Sequence, residues 1–151
     1  MKIKNQRSLI SLCYVALAIC ALYLYVAVDD IIIGYKGFEF SSELKLMQSI
    51  IFYGKHLLCI TLVGLLSSLI VNTLKGIKTN HPFPKKNIVL IYVIAAVDTL
   101  MKLCSANWHI LNGERYFSID GDVLLTPVVI IIFGILYSIA HKASVDSNLA
   151  I

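Results

Sequence analysis

Long stretches without a single charged residue restrict what this chain can fold into. Apolar residues make up 58% of the sequence and charged residues 15%, whereas a typical soluble domain has about 45–50% and about 25%. Intrinsic disorder requires the opposite composition, low hydrophobicity with high net charge, and is excluded. Because the apolar residues are gathered into long runs, the sequence predicts an integral membrane protein.

Four apolar stretches are long enough, or nearly long enough, to cross a bilayer as helices, which takes roughly 20 residues. They run from about Leu9 to Val28, Ser49 to Leu74, Ile88 to Trp108 and Val123 to Ala140. Helices are favoured over strands because backbone polar groups in lipid must find partners within their own segment. The runs are also too long for barrel strands. We therefore expect a single all-α domain over residues 1–151, with four transmembrane helices in one bundle.

A proline near the start of the fourth stretch leaves two interpretations of where that helix begins. Pro127 is compatible with a first turn but removes a backbone hydrogen bond deeper in a helix. Either the helix starts with Thr126 as its N-cap and the span is short, or it starts near Asp122 and bends at the proline. The second interpretation is favoured because a full crossing needs the additional turn.

Basic residues precede the first apolar stretch, as they do in secretory signal peptides. However, the apolar run of about 20 residues is too long for a typical signal peptide, and no A-x-A cleavage site follows it. Ile19 before Cys20 is not the small residue that a lipoprotein signal requires. We therefore predict a first helix that is retained.

Lysine and arginine are distributed unevenly over the connecting segments, and an excess of these residues marks the cytoplasmic side. Eight fall in the N-terminal tail, the second connection and the C-terminal tail: Lys2, Lys4, Arg7, Lys75, Lys78, Lys85, Lys86 and Lys142. Three fall on the other side: Lys36, Lys45 and Arg115. Both termini are therefore predicted to be cytoplasmic.

The second connection is the most basic one and is a candidate contact surface. Its lysines are Lys75, Lys78, Lys85 and Lys86. Cations close to a membrane attract anionic headgroups, each contributing about 1 kcal/mol. We interpret these lysines as a contact for lipid or for a cytoplasmic partner. They are not interleaved with aromatic residues, so direct nucleic-acid binding is not expected.

Two charged residues inside the third stretch are candidates for a functional site. Asp98 lies ten residues into it, where an ionised carboxylate costs roughly 2.5–3.5 kcal/mol. Lys102 follows one helical turn later, so the two can pair. Because Lys55 and His56 enter the second stretch from the same outer side, we predict an intramembrane polar cluster of all four in the outer half. It is either a proton or ion relay or a polar substrate site, or, as we favour, an ion pair that fixes helix register.

Cysteines and histidines show none of the usual redox or metal-binding spacings. The four cysteines lie inside apolar stretches without a C-x-x-C pair, and we interpret them as packing residues. The four histidines are scattered, with no H-x-x-H or H-E-x-x-H spacing. No nucleophile elbow or phosphate-binding glycine loop occurs. We expect no metal, no cofactor and no enzymatic activity.

Two pairs of small residues have the spacing that lets helices approach each other closely. They are Gly64 with Ser68 and Gly134 with Ser138. This spacing is frequent by chance. It is compatible with a packed bundle and with a homodimer.

Three segments resemble sequence markers of a known family. The second connection reads Asn80-His81-Pro82-Phe83-Pro84-Lys85-Lys86-Asn87, the segment before the last helix reads Phe117-Ser118-Ile119-Asp120, and the tail closes on Leu149-Ala150-Ile151. In these segments the chain resembles the DUF2975 family of small bacterial four-helix membrane proteins of unknown function. It departs from the family pattern where Asn80 and Ala143 stand in place of glycines. The glutamate-rich tail is thinned to residues 145–148.

The resemblance implies a location and a partner. The location is the plasma membrane of a bacterium. Genes of the family often sit beside a small helix-turn-helix regulator, which implies a membrane protein that sequesters or signals to a cytoplasmic transcription factor. Our first hypothesis is therefore a non-enzymatic regulatory or sensory membrane protein acting through residues 75–87 and 141–151. The alternatives are a small ion- or proton-coupled transporter using Asp98 and Lys102, and a membrane immunity protein against a toxic peptide.

Overall fold

The computed structural model describes the backbone of residues 2–37 and 40–149, and the side chains of residues 6–34 and 40–146. Of the residues named above, Lys2, Lys4 and Lys36 have side chains outside this range. Ala150 and Ile151 lie outside the described backbone.

The described chain is helical, with four long helices and one short 3₁₀ helix. The long helices are α1 (Lys2–Gly37), α2 (Lys45–Lys78), α3 (Lys86–Ala106) and α4 (Gly121–Leu149), and the 3₁₀ helix (Trp108–Asn112) follows α3. All four long helices contain segments long and apolar enough to cross a membrane. The prediction of an all-α protein with four such helices is confirmed. Each predicted span lies within one long helix, except that the third span ends with Asn107, which follows α3, and Trp108, which belongs to the 3₁₀ helix.

The helices continue well past their apolar stretches into polar sequence. Once a helix is nucleated, each further residue adds a hydrogen bond, so a polar flank prolongs it readily. At the end of α2, Lys75 and Lys78 lie in the last turn, where positive charge is favourable beside the exposed carbonyl groups. The two ends of the molecule are therefore formed by the polar ends of the helices and not by separate domains.

The fourth helix, α4, begins at Gly121, before the proline. Pro127 lies inside the helix, and the backbone N–H of Val123 donates to the carbonyl of Asp120 over 3.0 Å. The interpretation that starts the helix near Asp122 is therefore confirmed, and the alternative with Thr126 as N-cap is wrong.

The helices pack in chain order as an open antiparallel row. Helix α1 contacts α2, α2 contacts α3, and α3 contacts α4. Over residues 2–37 and 40–149, no Cα atom of α4 comes within 8 Å of α1 or α2. The first and last helices are thus the two edges of the row, and α2 and α4 flank α3 on either side.

Contacts at both ends of α1 show its antiparallel alignment with α2. The Gln6 amide donates a 2.8 Å hydrogen bond to the carbonyl of Ile77, near the end of α2. At the other end, Gly34 lies so close to Phe52 that a Cβ atom there would be 2.9 Å from the ring. Elsewhere α1 is largely exposed, and Ala27 is the only residue in its described part that is buried.

Large apolar side chains cover the outside of the row. Leu22 of α1 is 68% exposed, Leu57 of α2 67% and Phe133 of α4 63%. In water, so much contiguous apolar surface would drive association. An apolar exterior is what a protein surrounded by lipid requires, because lipid tails are as apolar as leucine.

Candidate functional site

The two ends of the row differ in their content of lysine. The lysine-rich end comprises the start of α1, the end of α2, the start of α3 and the end of α4. The lysine-poor end comprises the end of α1, the start of α2, the 3₁₀ helix and the start of α4. Three buried side-chain amides hold the connections at these ends in place: Gln48, Asn87 and Asn107.

At the lysine-poor end, Asn107 fixes the connection between the 3₁₀ helix and α4. Its amide nitrogen donates to the carbonyls of Leu103 at 2.8 Å and Ser118 at 2.9 Å. Its amide oxygen accepts from the backbone N–H of Ser118 at 2.7 Å. The side chain therefore pairs with Ser118 much as a neighbouring strand would, which satisfies buried backbone groups in a connection without regular structure.

Gln48 links three segments at the same end. Its amide nitrogen donates to the carbonyls of Ile110 and Leu111, each at 3.2 Å. Its amide oxygen accepts from the backbone N–H of Ser41 at 2.8 Å. Gln48 is 2% exposed, so these bonds form where water cannot replace them. Nearby, exposed Arg115 forms an ion pair with Glu43, which also joins the first and third connections.

On the third connection, His109 and Tyr116 stack with ring centroids 4.2 Å apart. A hydrogen bond to Glu114, together with the negative charge of that residue, raises the pKa of the exposed Tyr116 phenol.

Lys55 and His56 belong to an aromatic cluster at the lysine-poor end. The Lys55 ammonium lies 3.9 Å from the ring centroid of Trp108, in a cation–π contact. The His56 ring lies 4.7 Å from that of Phe52 and 5.9 Å from that of Trp108, centroid to centroid. His56 Nδ1 donates to the carbonyl of Phe52 at 2.7 Å. Lys55 is therefore engaged by Trp108, and His56 by both Phe52 and Trp108.

Lys102 reaches toward α4. Its ammonium donates a 2.6 Å hydrogen bond to the hydroxyl of Thr126. Within the described chain, no ion pair joins Lys102 to Asp98. Long lysine side chains extend toward the nearest polar surroundings, which here lie toward the lysine-poor end, where Asp120 and Asp122 line the same depression as Lys102.

Asp98 is buried without a hydrogen-bonding partner. It is 7% exposed, and its Oδ2 atom is enclosed by protein with no donor in reach among the described residues. It lies level with Leu62 of α2 and Ile130 of α4, which line the same cavity. The four predicted cluster residues therefore do not form one group of contacting side chains. Lys55 and His56 belong to the aromatic cluster, Lys102 bonds to Thr126, and Asp98 lies beside the cavity.

The cavity beside Asp98 is a groove between α2 and α4, with α3 as its floor. Its volume is about 280 Å³. The lining side chains are apolar apart from Asp98: Leu62, Leu66 and Leu69 from α2, Ile91 and Ile94 from α3, and Ile130 and Phe133 from α4. The groove follows from the open packing, because α2 and α4 both pack against α3 while no Cα atom of α4 comes within 8 Å of α2 in the described chain.

At the lysine-rich end, the second connection folds back onto the end of α2. The backbone N–H of His81 donates to the carbonyl of Gly76 at 2.7 Å. Asn80 has a φ of 61°, a left-handed conformation that glycine adopts freely and asparagine better than most other residues. Asparagine is therefore well suited to position 80.

The second connection is also tied to the last helix. His141 Nδ1 donates to the carbonyl of Phe83 at 2.7 Å, and the Phe83 ring packs edge-on against Tyr137 at 5.4 Å. The buried Asn87 amide nitrogen donates to the hydroxyls of Thr73 at 2.9 Å and Tyr137 at 3.1 Å. Helices α2, α3 and α4 are thus connected through one asparagine side chain.

Five exposed lysines surround these contacts, and we call them the basic surface: Lys75, Lys78, Lys85, Lys86 and Lys142. Lys75 and Lys86 line one shallow depression of about 230 Å³ together with His81. The lysines predicted as a contact therefore lie together at one end of the molecule.

The three buried amides were missed by the sequence interpretation. Each lies at or near the boundary of an apolar stretch: Gln48 precedes the second, Asn87 precedes the third, and Asn107 is its penultimate residue. A single amide at such a boundary is a usable signal, because a buried amide must be hydrogen-bonded.

Nowhere in the described chain do three or more histidine, cysteine, aspartate or glutamate side chains come together in a way that could hold a metal ion. Comparison with known proteins gives no match among family models, curated proteins or solved structures. The resemblance to DUF2975 therefore stays a prediction.

Proposed function

We propose that the protein is a non-enzymatic, multi-pass membrane protein that binds a small cytoplasmic protein at its basic surface, in a regulatory or sensory role. The observation that carries the proposal is the hydrogen bond from His141 to the carbonyl of Phe83. It joins the second connection to the start of the C-terminal segment. Two segments that are far apart in the sequence thus form one continuous docking surface.

The charge of this surface favours an acidic partner. Five exposed lysines lie at the lysine-rich end, and Asp146 is the one acidic residue among the side chains described there. Complementary charge steers encounter and fixes orientation more than it raises affinity. The resemblance to DUF2975 supports a helix-turn-helix regulator as the partner, bound through an acidic face and not through its DNA-binding face.

The anchoring of the surface suits a docking role. The bonds from Asn87 to Thr73 and Tyr137 hold α2, α3 and α4 in fixed relative positions directly beneath it. A pre-organised surface loses little conformational entropy on binding. The cytoplasmic orientation of this end is part of the proposal and rests on the excess of lysine and arginine.

Crosslinking of the tagged full-length protein in native membranes, followed by mass spectrometry, tests the proposal. Wild type should capture a small DNA-binding protein through the basic surface. The double reversal Lys85→Glu/Lys86→Glu should abolish this crosslink, because it replaces two exposed positive charges at the centre of the surface. A chain ending at His141 should lose it as well, because it lacks most of the C-terminal segment.

Lys45→Glu is the matched control, because Lys45 is an exposed lysine at the lysine-poor end. It changes the net charge in the same sense and should leave the crosslink intact. Capture that survives the double reversal would contradict docking at the basic surface. If the double reversal changes only the anionic lipid that copurifies, and no protein is captured from any variant, the lysines are a lipid contact and the proposal is wrong.

The transporter hypothesis has less support. A proton or ion relay needs successive polar groups, and the groove beside Asp98 is otherwise lined by apolar side chains. In addition, Lys102 is hydrogen-bonded to Thr126 and not to Asp98. We therefore do not base the proposed function on these two residues.

A further inference from the structure

The groove between α2 and α4 has an apolar lining, to which one acidic residue, Asp98, contributes only its carbon atoms. Three leucines of α2 face Ile130 and Phe133 of α4 across the floor formed by α3. Small-molecule sites typically have this composition, mostly apolar with a few polar groups that fix orientation, and volumes of about 300–1,000 Å³. At about 280 Å³, the groove is slightly smaller than the lower limit of that range.

Asp98 lacks the partners that a buried acidic group normally has. Buried polar groups are nearly always hydrogen-bonded, and buried charges are nearly always paired. Asp98 is more than nine-tenths buried, and Oδ2 has no donor among the described residues. The nearest cation along α3, Lys102, donates to Thr126 instead. Within the described chain, this carboxyl group is therefore left without the donor that a buried acidic group normally has.

We propose that the groove is a binding site for a hydrophobic amine, with its ammonium group at Asp98 and its apolar part between α2 and α4. Charge complementarity selects the ammonium, since Asp98 is the only charged residue among the described residues that line the groove. The leucines, isoleucines and Phe133 select the apolar part. Binding requires the Asp98 carboxylate to turn toward the groove, which a change of side-chain rotamer provides.

The open packing gives such a ligand a route to the site. Because no Cα atom of α4 comes within 8 Å of α2 in the described chain, the two helices leave the groove between them open at its side. An amphipathic amine dissolved in the lipid can thus enter without unfolding any helix. This proposal does not depend on the proposed docking function, because it concerns different residues in the middle of the row.

Photolabelling of the full-length protein in nanodiscs of phosphatidylcholine tests the proposal. The probe is a twelve-carbon primary amine with a diazirine in its chain, and the matched probe is the corresponding alcohol. The amine should label peptides of α2 and α4 that line the groove, and the labelling should saturate. Unlabelled dodecylamine should compete at least about tenfold better than dodecanol, since a buried charge pair is worth at least that factor.

Asp98→Asn keeps the size of the side chain and removes its charge. It should weaken dodecylamine competition about tenfold, to the level of the alcohol. Asp29→Asn is the matched control, because Asp29 is an exposed carboxylate on α1, a helix that does not line the groove. Amine labelling of this variant should equal that of wild type. Ile130→Trp fills the groove from α4 while Asp98 is kept, and it should also lose amine labelling.

Four outcomes would overturn the proposal. The first is labelling that does not saturate or that maps outside the groove, and the second is equal competition by amine and alcohol in wild type. The third is unchanged amine binding in Asp98→Asn or, if that variant does not fold, in Ile130→Trp. The fourth is a crosslink between two copies of the chain through groove residues, which would make the second copy the occupant.

Discussion

At the scale of single residues, side-chain amides hold this protein together where its helices end. Asn107 and Asn87 are 0% exposed, and each bonds groups from segments that are distant in sequence. An amide suits this role because it offers hydrogen-bonding groups without carrying a charge. Asn107 both donates and accepts, whereas the Asn87 amide donates and its buried Oδ1 atom has no partner among the described residues. A carboxylate or an ammonium in the same place would have to be neutralised as well.

Replacing Asn107 by alanine should destabilise the protein by about 1–3 kcal/mol. The substitution leaves the partly buried backbone N–H and carbonyl groups of Ser118 without the Asn107 side chain as partner, and an unsatisfied buried group costs about that much. The fluorescence of Trp108, the only tryptophan in the chain, reports the change during unfolding by sodium dodecyl sulfate in mixed micelles. Asn112→Ala, at an exposed position of the 3₁₀ helix, should unfold like wild type. Equal unfolding of the two variants would show that the Asn107 bonds contribute nothing measurable.

At the scale of elements, the ends of the helices depend on close backbone approach at a few glycines. Gly76 lies in the last turns of α2, and a Cβ atom there would collide with the carbonyl oxygen of His81. Gly64, twelve residues earlier in the same helix, has nothing within 4 Å of the corresponding position. Gly76 is therefore required by the fold of the second connection, whereas the fold of a single chain does not require Gly64.

Gly76→Ala should destabilise the lysine-rich end, whereas Gly64→Ala should not. Overpacking of this kind costs typically about 1–3 kcal/mol, and alanine at an unobstructed helical position is slightly favourable. Thermal unfolding of the two purified variants, followed by circular dichroism, measures the difference. A stable Gly76→Ala variant would contradict the described contact. Loss of a dimer in Gly64→Ala with unchanged helix content would instead assign Gly64 to an interface between copies, as its spacing from Ser68 allows.

The helices could be predicted from the sequence, but the side-chain contacts between them could not. Length and hydropathy located all four helices, because crossing a bilayer imposes both. The same reasoning placed Asp98 beside Lys102, because residues four apart share a helix face. It could not foresee that the Lys102 ammonium would bond Thr126 of α4, or that Lys55 would lie over Trp108. These contacts depend on which helices are neighbours in the fold, and the helical periodicity of the sequence does not contain that information.

At the scale of the whole molecule, the four helices place both described ends of the chain on the same side of the row. Antiparallel packing of an even number of helices requires this. The lysine-rich end collects the start of α1 and the end of α4 together with the second connection. Which side of the membrane this end occupies is set by the charge of the connections, since lysine and arginine are retained in the cytoplasm.

Protease protection of epitope tags in spheroplasts tests this orientation. Tags at the N-terminus, at the C-terminus and in the connection between α2 and α3 should be protected from external protease. A tag inserted after Gly113, in the exposed third connection, should be cleaved and is the positive control for access. Cleavage of one terminal tag but not the other would mean that an odd number of helices crosses the membrane, and the proposed topology would be wrong.

The open row also determines how the protein can be assembled. Each helix packs against the one that precedes it in the chain, and the described parts of α1 and α4 never meet. If the chain inserts into a membrane during its synthesis, as we expect, every helix after the first finds its partner already there, and no early helix must wait for the C-terminus to be made. Insertion and packing can proceed at the same pace, from the first helix to the last.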